Sequence, residues 1–225
     1  MTMAKKLLVF DLDGTLIDSR RDIADSLNFA LKQEGFSQLP QKKIEDLVGW
    51  GAKQLVQEAL GNPSEEDLMR VFLSFWNRYD AHLLDYTRPY DGVIEFLEAT
   101  GDWQRAVITN KPEGFSRKII QGLGLEKYFQ WLVGGDSLAV RKPDAAAIQP
   151  IRDALGNWEI GVMVGDSVVD LTFGKAAGLI NCALTHGFGI HEELRAMAPE
   201  FLVKDFFELS ALPLFAKKPS VASGF

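Results

Sequence analysis

The stretch Leu7-Leu8-Val9-Phe10-Asp11-Leu12-Asp13-Gly14 carries four consecutive apolar residues that end abruptly at a carboxylate. A continuous apolar run of this length, without alternation, is typical of a strand buried on both faces of a parallel sheet. Similar runs, each followed by glycine or a polar residue, occur at 106–108, 131–133, 160–164 and 182–184. We therefore predict five buried parallel strands.

Helical patterns separate these runs. They cover residues 115–123, 145–155 and 171–177. Regular alternation of strand and helix predicts an α/β fold with a doubly wound, Rossmann-like parallel sheet. A last apolar run at 201–203 predicts an edge strand, and a short helix is expected over 206–212.

The interval between the first and second strands is far longer than a crossover requires. Apolar residues such as Ile23 and Leu27 recur there at helical spacing, and the stretch 63–67 (PSEED) is a helix-start signal. We therefore predict an inserted α-helical cap domain that closes over the sheet about hinges at 15–19 and 86–89. The expected boundaries are 1–17 and 88–225 for the α/β core and 18–87 for the cap.

Polar residues follow the strands at the edge where open α/β sheets bind ligands. Asp11 and Asp13 follow the first strand, Thr109 the second and Asp166 the fourth, and Lys142 precedes a helix. Carboxylates packed this closely repel each other, so a cation is expected among them. Oxygen ligands favour a hard divalent cation, and Mg²⁺ suits one or two carboxylates with phosphate and water.

The composition and net charge of the chain limit the classes of partner that it can be expected to bind. The chain has 225 residues, with 24 Lys and Arg against 31 Asp and Glu, a formal net charge of −7. This balance argues against nucleic-acid and anionic-membrane partners, which need clustered cations. The apolar stretch 7–10 is shorter than the ~7–15 residues of a signal peptide, and the single Cys182 excludes an intrachain disulfide. We expect a cytoplasmic protein; its oligomeric state stays open.

The octapeptide at 11–18 (DLDGTLID) resembles the first motif of the haloacid-dehalogenase superfamily of phosphotransferases. Further motifs of that superfamily follow in order, at Thr109, at Lys142 and at 165–170 (GDSVVD). The resemblance covers essentially the whole chain, and four ordered motifs make it specific. The insert is similar to the helical cap of superfamily members with a small cap.

The resemblance implies an Mg²⁺-dependent hydrolase of phosphomonoesters. Asp11 would attack phosphorus and form an aspartyl-phosphate. Asp13 would protonate the leaving alkoxide and then deprotonate the attacking water. The Asp11 and Asp166 carboxylates and the Asp13 main-chain carbonyl would hold Mg²⁺.

The same resemblance implies a phosphate-binding set. Thr109 and Lys142 would hold the phosphoryl oxygens, with backbone N–H groups near Leu12, Asp13 and Asn110. Asp170 would orient Lys142 or a metal-bound water. From the residues alone, Thr109 could also be a plain loop hydroxyl and Asp170 part of a helix cap.

Within the superfamily, the chain is similar to the phosphoglycolate phosphatases at 49–52, 86–93, 108–112, 134–137 and 142–143. It departs from them at Asp91, where proline is usual, and at 145–148, which replace a proline-containing stretch. The narrower resemblance implies 2-phosphoglycolate as the substrate. Donors for its carboxylate would be backbone N–H groups of Gly49, Trp50 and Gly51, with Lys53. An ordinary turn at 49–51 remains an equal alternative.

Several other functions stay open. The substrate could be another small phosphate ester, such as a sugar phosphate, or pyrophosphate. A β-phosphoglucomutase-like enzyme uses the same carboxylates to move a phosphoryl group between sugar hydroxyls. A haloalkanoic-acid dehalogenase needs no carboxylate at Asp13. A non-enzymatic phosphoacceptor module would carry phosphate on Asp136, but it leaves the cap unexplained.

Overall fold

The computed structural model describes residues 5–215 and is built on a six-stranded parallel sheet. The described residues form eight strands, of which all but β2 and β3 belong to this sheet: Lys6–Phe10 (β1), Ile17–Asp18 (β2), Arg88–Pro89 (β3), Gln104–Ile108 (β4), Trp131–Val133 (β5), Ile160–Gly165 (β6), Ile180–Leu184 (β7) and Phe201–Val203 (β8). The sheet has the order β5-β4-β1-β6-β7-β8 with every pair parallel. The predicted strands and the edge strand are confirmed.

The helices of the described chain are Arg20–Gln33 (α1), Gln41–Glu45 (α2), Ala52–Leu60 (α3), Glu65–Ala81 (α4), Val93–Ala99 (α5), Glu113–Gly122 (α6), Gln149–Leu155 (α7), Val168–Ala177 (α8), His191–Ala196 (α9) and Phe206–Ser210 (α10). Single 3₁₀ turns cover Glu126–Tyr128 and Ala145–Ile148. Within residues 5–215, none of these helices is both long enough and apolar enough to cross a membrane.

Successive residues of a strand point to opposite faces of the sheet. Apolar clusters cover both of these faces. Leu8 and Phe10 of β1 pack in the larger apolar cluster, which includes residues of α5, α6 and α10. Leu7 and Val9 pack in a second cluster with residues of α7 and α8. These two layers confirm the doubly wound α/β fold.

Two predicted helices begin elsewhere in the structure. Over 145–155, the first turn is 3₁₀, and α7 starts at Gln149 because Pro150 fits only the first turn of an α-helix. α8 starts three residues before the predicted Leu171. Ser167 is its N-cap and forms a reciprocal capping box with Asp170. Because Asp170 is polar, the apolar pattern did not include this first turn.

Helices α1–α4, which we call the helical insert, lie between β2 and β3. The N-cap of α4 is Ser64, whose side chain accepts from the N–H of Asp67. The sequence pattern did not predict β2 and β3, which pair antiparallel as a two-stranded ribbon beside both ends of the insert. Two-residue strands are too short to show periodicity. The outermost parts of the expected core, 1–4 and 216–225, lie outside the described residues.

A buried carboxylate on α1 ties the insert to the chain that returns to the core. Asp22 is 2% exposed and accepts from the N–H groups of Tyr86 and Thr87 and from the Thr87 hydroxyl, at 2.7–3.0 Å. Asp22→Ala leaves these donors unpaired, and we expect it to lower the free energy of unfolding by about 3 kcal/mol. Urea denaturation measures the loss. The control is Asp25→Ala on the same helix, whose exposed carboxylate contacts Arg21 at 3.6 Å; an equal loss there would contradict the prediction.

Candidate active site

The site lies at the carboxyl edge of the three central strands. Asp11 follows β1, Thr109 follows β4 and Asp166 follows β6, and these strands are hydrogen-bonded neighbours. Thr109 and Asp166 are each 3% exposed. Parallel strands therefore bring residues from distant parts of the sequence to one edge, as the sequence predicted.

Lys142 links two of the carboxylates. Its ammonium donates to Asp11 at 2.6 Å and to Asp170 at 2.5 Å, and its side chain is 2% exposed. Burial alone lowers the pKa of Lys142, but the two carboxylates outweigh burial and raise it above its usual value. Asp170 also accepts from the Asp166 N–H and from the N–H and hydroxyl of Ser167. Asp170 is thus both part of a helix cap and a fixed partner of Lys142.

Carboxylate oxygens of Asp11, Asp166 and Asp170 lie within 4.8 Å of one another. Burial, with repulsion between these groups, raises the pKa of Asp11 to about 6 and that of Asp166 to about 8. Asp166 is held by the Thr15 hydroxyl and the Phe188 N–H, both at 2.7 Å. An all-oxygen donor set with excess negative charge is suited to Mg²⁺.

Asp13 contacts Lys111, a residue that was not predicted to belong to the site. Lys111 donates to both Asp13 carboxylate oxygens, at 2.9 and 3.1 Å, and to the hydroxyl of Tyr79 on α4 at 2.6 Å. The Ser19 hydroxyl also donates to Asp13, at 2.5 Å. Lys111 lies in the same loop as Thr109, so its place at this edge of the sheet could have been predicted. Nothing in the sequence indicated that Tyr79 would reach the site.

Two cavities meet at Asp11 and Asp13. The first, of about 60 Å³, lies between the core and the helical insert and is lined by Asp11, Asp13, Ile23, Val48, Gly49, Gly51, Ala52, Leu55, Phe75, Tyr79, Thr109, Asn110, Lys111, Pro112 and Phe115. The second, of about 230 Å³, contains Lys142, Asp166 and Asp170 in its lining. A bound molecule at Asp11 would thus contact the acidic cluster and the helical insert, which contributes to the lining of both cavities.

The loop at 49–51 contacts the core, through Asn110. The Asn110 amide donates to the carbonyls of Gly49 and Lys142, both at 3.0 Å. Gly51 has φ 98°, and a Cβ there would lie 3.3 Å from the Asn110 carbonyl oxygen, so glycine permits this close approach. Gly51 lines the first cavity, Gly49 lines both, and Trp50, which is half exposed, lines the second.

Two candidates, Lys53 and Asp136, lie outside the lining of both cavities. Lys53 lies outside the lining of both cavities and pairs with Glu65 at 3.3 Å, with more than half of its side chain exposed. The sequence expectation that Lys53 contacts the substrate therefore does not match its position. Asp136, the residue of the phosphoacceptor alternative, accepts from the N–H of Glu113 at the start of α6.

Comparisons with known proteins find a matching family model and similar chains. The family model described as haloacid dehalogenase-like hydrolase matches residues 8–184. A phosphoglycolate phosphatase of Colwellia psychrerythraea is 35% identical over 91% of this chain and 95% of its own length. Phosphoglycolate phosphatase 1 of Pseudomonas aeruginosa is 34% identical over 92% of this chain and 79% of its own. A solved structure from Haemophilus somnus, described as a predicted phosphoglycolate phosphatase, has a TM-score of 0.85 at 30% identity and covers 93% of this chain and 98% of its own.

Proposed function

We propose that this chain, which belongs to the haloacid dehalogenase-like hydrolase family and is a phosphatase, hydrolyses 2-phosphoglycolate with Mg²⁺ through an aspartyl-phosphate on Asp11. The observation that carries the proposal is the position of Asp11. Its carboxylate lies at the junction of two cavities, 2.6 Å from a buried ammonium and beside two further carboxylates. The names of the relatives support the choice of substrate.

Asp11 is the nucleophile. An oxygen of its carboxylate forms a bond to phosphorus as the bond from phosphorus to the ester oxygen breaks. The leaving alkoxide takes a proton from Asp13. A water molecule then attacks the phosphorus of the aspartyl-phosphate, Asp13 accepts its proton, and Asp11 is released with inorganic phosphate.

Donors around Asp11 hold the transferring group. The Lys142 ammonium and the Thr109 hydroxyl bind phosphoryl oxygens. Backbone N–H groups of Leu12, Asp13 and Asn110 form no hydrogen bond with any other described residue, so they are free to donate to phosphate. Asp170 keeps Lys142 in place.

The acidic cluster would hold Mg²⁺. Its ligands would be the carboxylates of Asp11 and Asp166 and the main-chain carbonyl of Asp13. The Asp170 carboxylate lies within 4.8 Å of those of Asp11 and Asp166 and pairs with Lys142. When bound, the cation offsets repulsion between carboxylate and phosphate and stabilises charge on the transferring group. A Cβ at Gly14 would lie 2.3 Å from an oxygen of Asp166, so glycine there leaves this ligand room.

The helical insert acts as a cap domain. We assign residues 18–87 to it and 1–17 and 88–225 to the core, as the sequence indicated. Its role is to close the first cavity and exclude water, moving about the segments that flank the two-stranded ribbon. Contacts of Gly49 with Asn110 and of Tyr79 with Lys111 hold it against the core.

A panel of phosphate esters, with and without Mg²⁺, tests the function. We expect phosphate release from 2-phosphoglycolate with Mg²⁺, without added sugar bisphosphate, and loss of that activity in EDTA. Asp166→Asn should abolish both turnover and the rise in melting temperature caused by Mg²⁺, because a neutral amide is a poorer ligand. Its fold should persist, since the amide can still pair with Thr15 and Phe188.

Three results would contradict the proposal. A requirement for a sugar bisphosphate would point to a mutase. Preference for a sugar phosphate or pyrophosphate would replace the substrate but keep the chemistry. Full activity in EDTA would exclude the metal-dependent mechanism. Asp153→Asn is the matched control for a carboxyl-to-amide change, because Asp153 pairs with Gln149 at an exposed position on α7.

A further inference from the structure

We propose that Lys111 and Tyr79 form the subsite for the substrate's second anionic group, a carboxylate one carbon away from the phosphate ester oxygen. The inference rests on the proposed function and adds the residues that select the substrate. Lys111 comes from the loop after β4 in the core, and Tyr79 comes from α4 in the helical insert. They meet at a hydrogen bond of 2.6 Å at the boundary of the first cavity.

Charge in the first cavity singles out Lys111. Among the described residues that line this cavity, Lys111 is the one cation, and its side chain is 4% exposed. The remaining lining is apolar apart from Asp11, Asp13 and a few polar groups. A carboxylate that leaves water for such a space needs a buried cation with which to pair. Lys142 lines the second cavity, where it serves the phosphate.

Tyr79 supplies a further donor. Its hydroxyl accepts from Lys111, and its own proton has no acceptor within residues 5–215. Burial, with the nearby carboxylates Asp13 and Asp22, raises the pKa of Tyr79 well above its usual value, so the hydroxyl stays a donor. The ring is fixed by stacking on Phe75 at 5.5 Å and by an edge contact with Phe115 at 5.4 Å. A bound anion can therefore accept from the Tyr79 hydroxyl as it stands and share the Lys111 ammonium with Asp13.

The position of Lys111 limits the distance between the ester oxygen and the second anionic group of the substrate. The Lys111 ammonium is 2.9 Å from a carboxylate oxygen of Asp13, which in the proposed reaction contacts the leaving ester oxygen. A group bound to Lys111 must then lie within a few bonds of that oxygen. The carboxylate of 2-phosphoglycolate meets this condition. Because Tyr79 belongs to the insert, the subsite is complete only when the insert rests on the core, which couples selection of the substrate to closure.

Selectivity between 2-phosphoglycolate and ethyl phosphate tests the subsite. Ethyl phosphate has the same chain length and lacks the carboxylate. The ratio of kcat/KM for the two substrates should fall about 100-fold in Lys111→Met and about tenfold in Tyr79→Phe, mainly through KM for 2-phosphoglycolate. Tyr79→Phe keeps the ring contacts and does not touch Asp13 directly, so it separates binding of the carboxylate from proton transfer. Lys111→Arg should recover part of the ratio, because it keeps the charge.

The control is Lys118→Met, which removes an exposed lysine of α6 that also bridges to the insert, at Asp80. It should keep the wild-type ratio. Equal losses on both substrates in Lys111→Met, together with an unchanged ratio in Tyr79→Phe, would overturn the subsite, since Lys111 would then serve Asp13 alone. Failure of the wild-type enzyme to prefer 2-phosphoglycolate over ethyl phosphate would instead remove the proposed substrate. Circular dichroism and melting temperature show whether each variant folds.

Discussion

Asp11→Asn is expected to reduce turnover by about 10⁵-fold or more, because an amide cannot form the bond to phosphorus on which both half-reactions depend. The variant should fold. Its amide oxygen can still accept from Lys142, and the change removes one of the crowded carboxylates whose burial raises the pKa of Asp11 to about 6. Phosphate release at saturating substrate and Mg²⁺ measures the loss, and thermal unfolding measures stability.

Trapping locates the phosphoryl group independently. Rapid acid quench of the wild-type enzyme with labelled substrate should leave phosphate on the peptide that contains Asp11. Asp136→Asn is the matched control, because the Asp136 carboxylate accepts a hydrogen bond from the N–H of Glu113 at the start of α6. The Asp136→Asn enzyme should keep its activity. Label on Asp136, or substantial turnover by Asp11→Asn, would refute the covalent mechanism.

Asp13→Asn is expected to lower kcat about 10²–10⁴-fold for alkyl phosphates, since the amide cannot transfer a proton to the leaving oxygen. Metal binding should persist, because the main-chain carbonyl proposed as a ligand is unchanged. The amide oxygen can still accept from Lys111 and Ser19, so the local hydrogen bonds are largely retained. The defect should shrink for aryl phosphates, whose leaving groups depart without a proton.

Comparing alkyl and aryl phosphates under single-turnover conditions isolates the first step of Asp13→Asn. An equal loss with both classes of leaving group would mean that Asp13 does not protonate the leaving oxygen. Asp18→Asn is a suitable companion, because Asp18 lies in the same motif but pairs with Arg20 at 2.8 Å. The activity of Asp18→Asn relative to the wild-type enzyme should be the same with alkyl and aryl phosphates.

Much of the fold was readable from local pattern. Runs such as 7–10 and 160–164 predict buried parallel strands because a strand covered on both faces has no polar side to show. The same argument placed Asp11, Thr109 and Asp166 at one edge of the sheet, since each follows a strand directly. The ends of helices were less well predicted where polar caps or proline decide them, as at Ser167 and Pro150.

By itself, the sequence determined the doubly wound sheet, the long helical insert and the acidic edge, because strand periodicity and motif order are properties of adjacent residues. Only the tertiary structure decided which side chains of the insert reach that edge. It placed Tyr79 against Lys111, which is 32 positions away in the sequence, and left Lys53 paired with Glu65 outside both cavities. The physical reason is that these contacts depend on how the insert packs against the core. The pattern of an amphipathic helix shows which of its faces is buried, but not which residues of the core that face contacts.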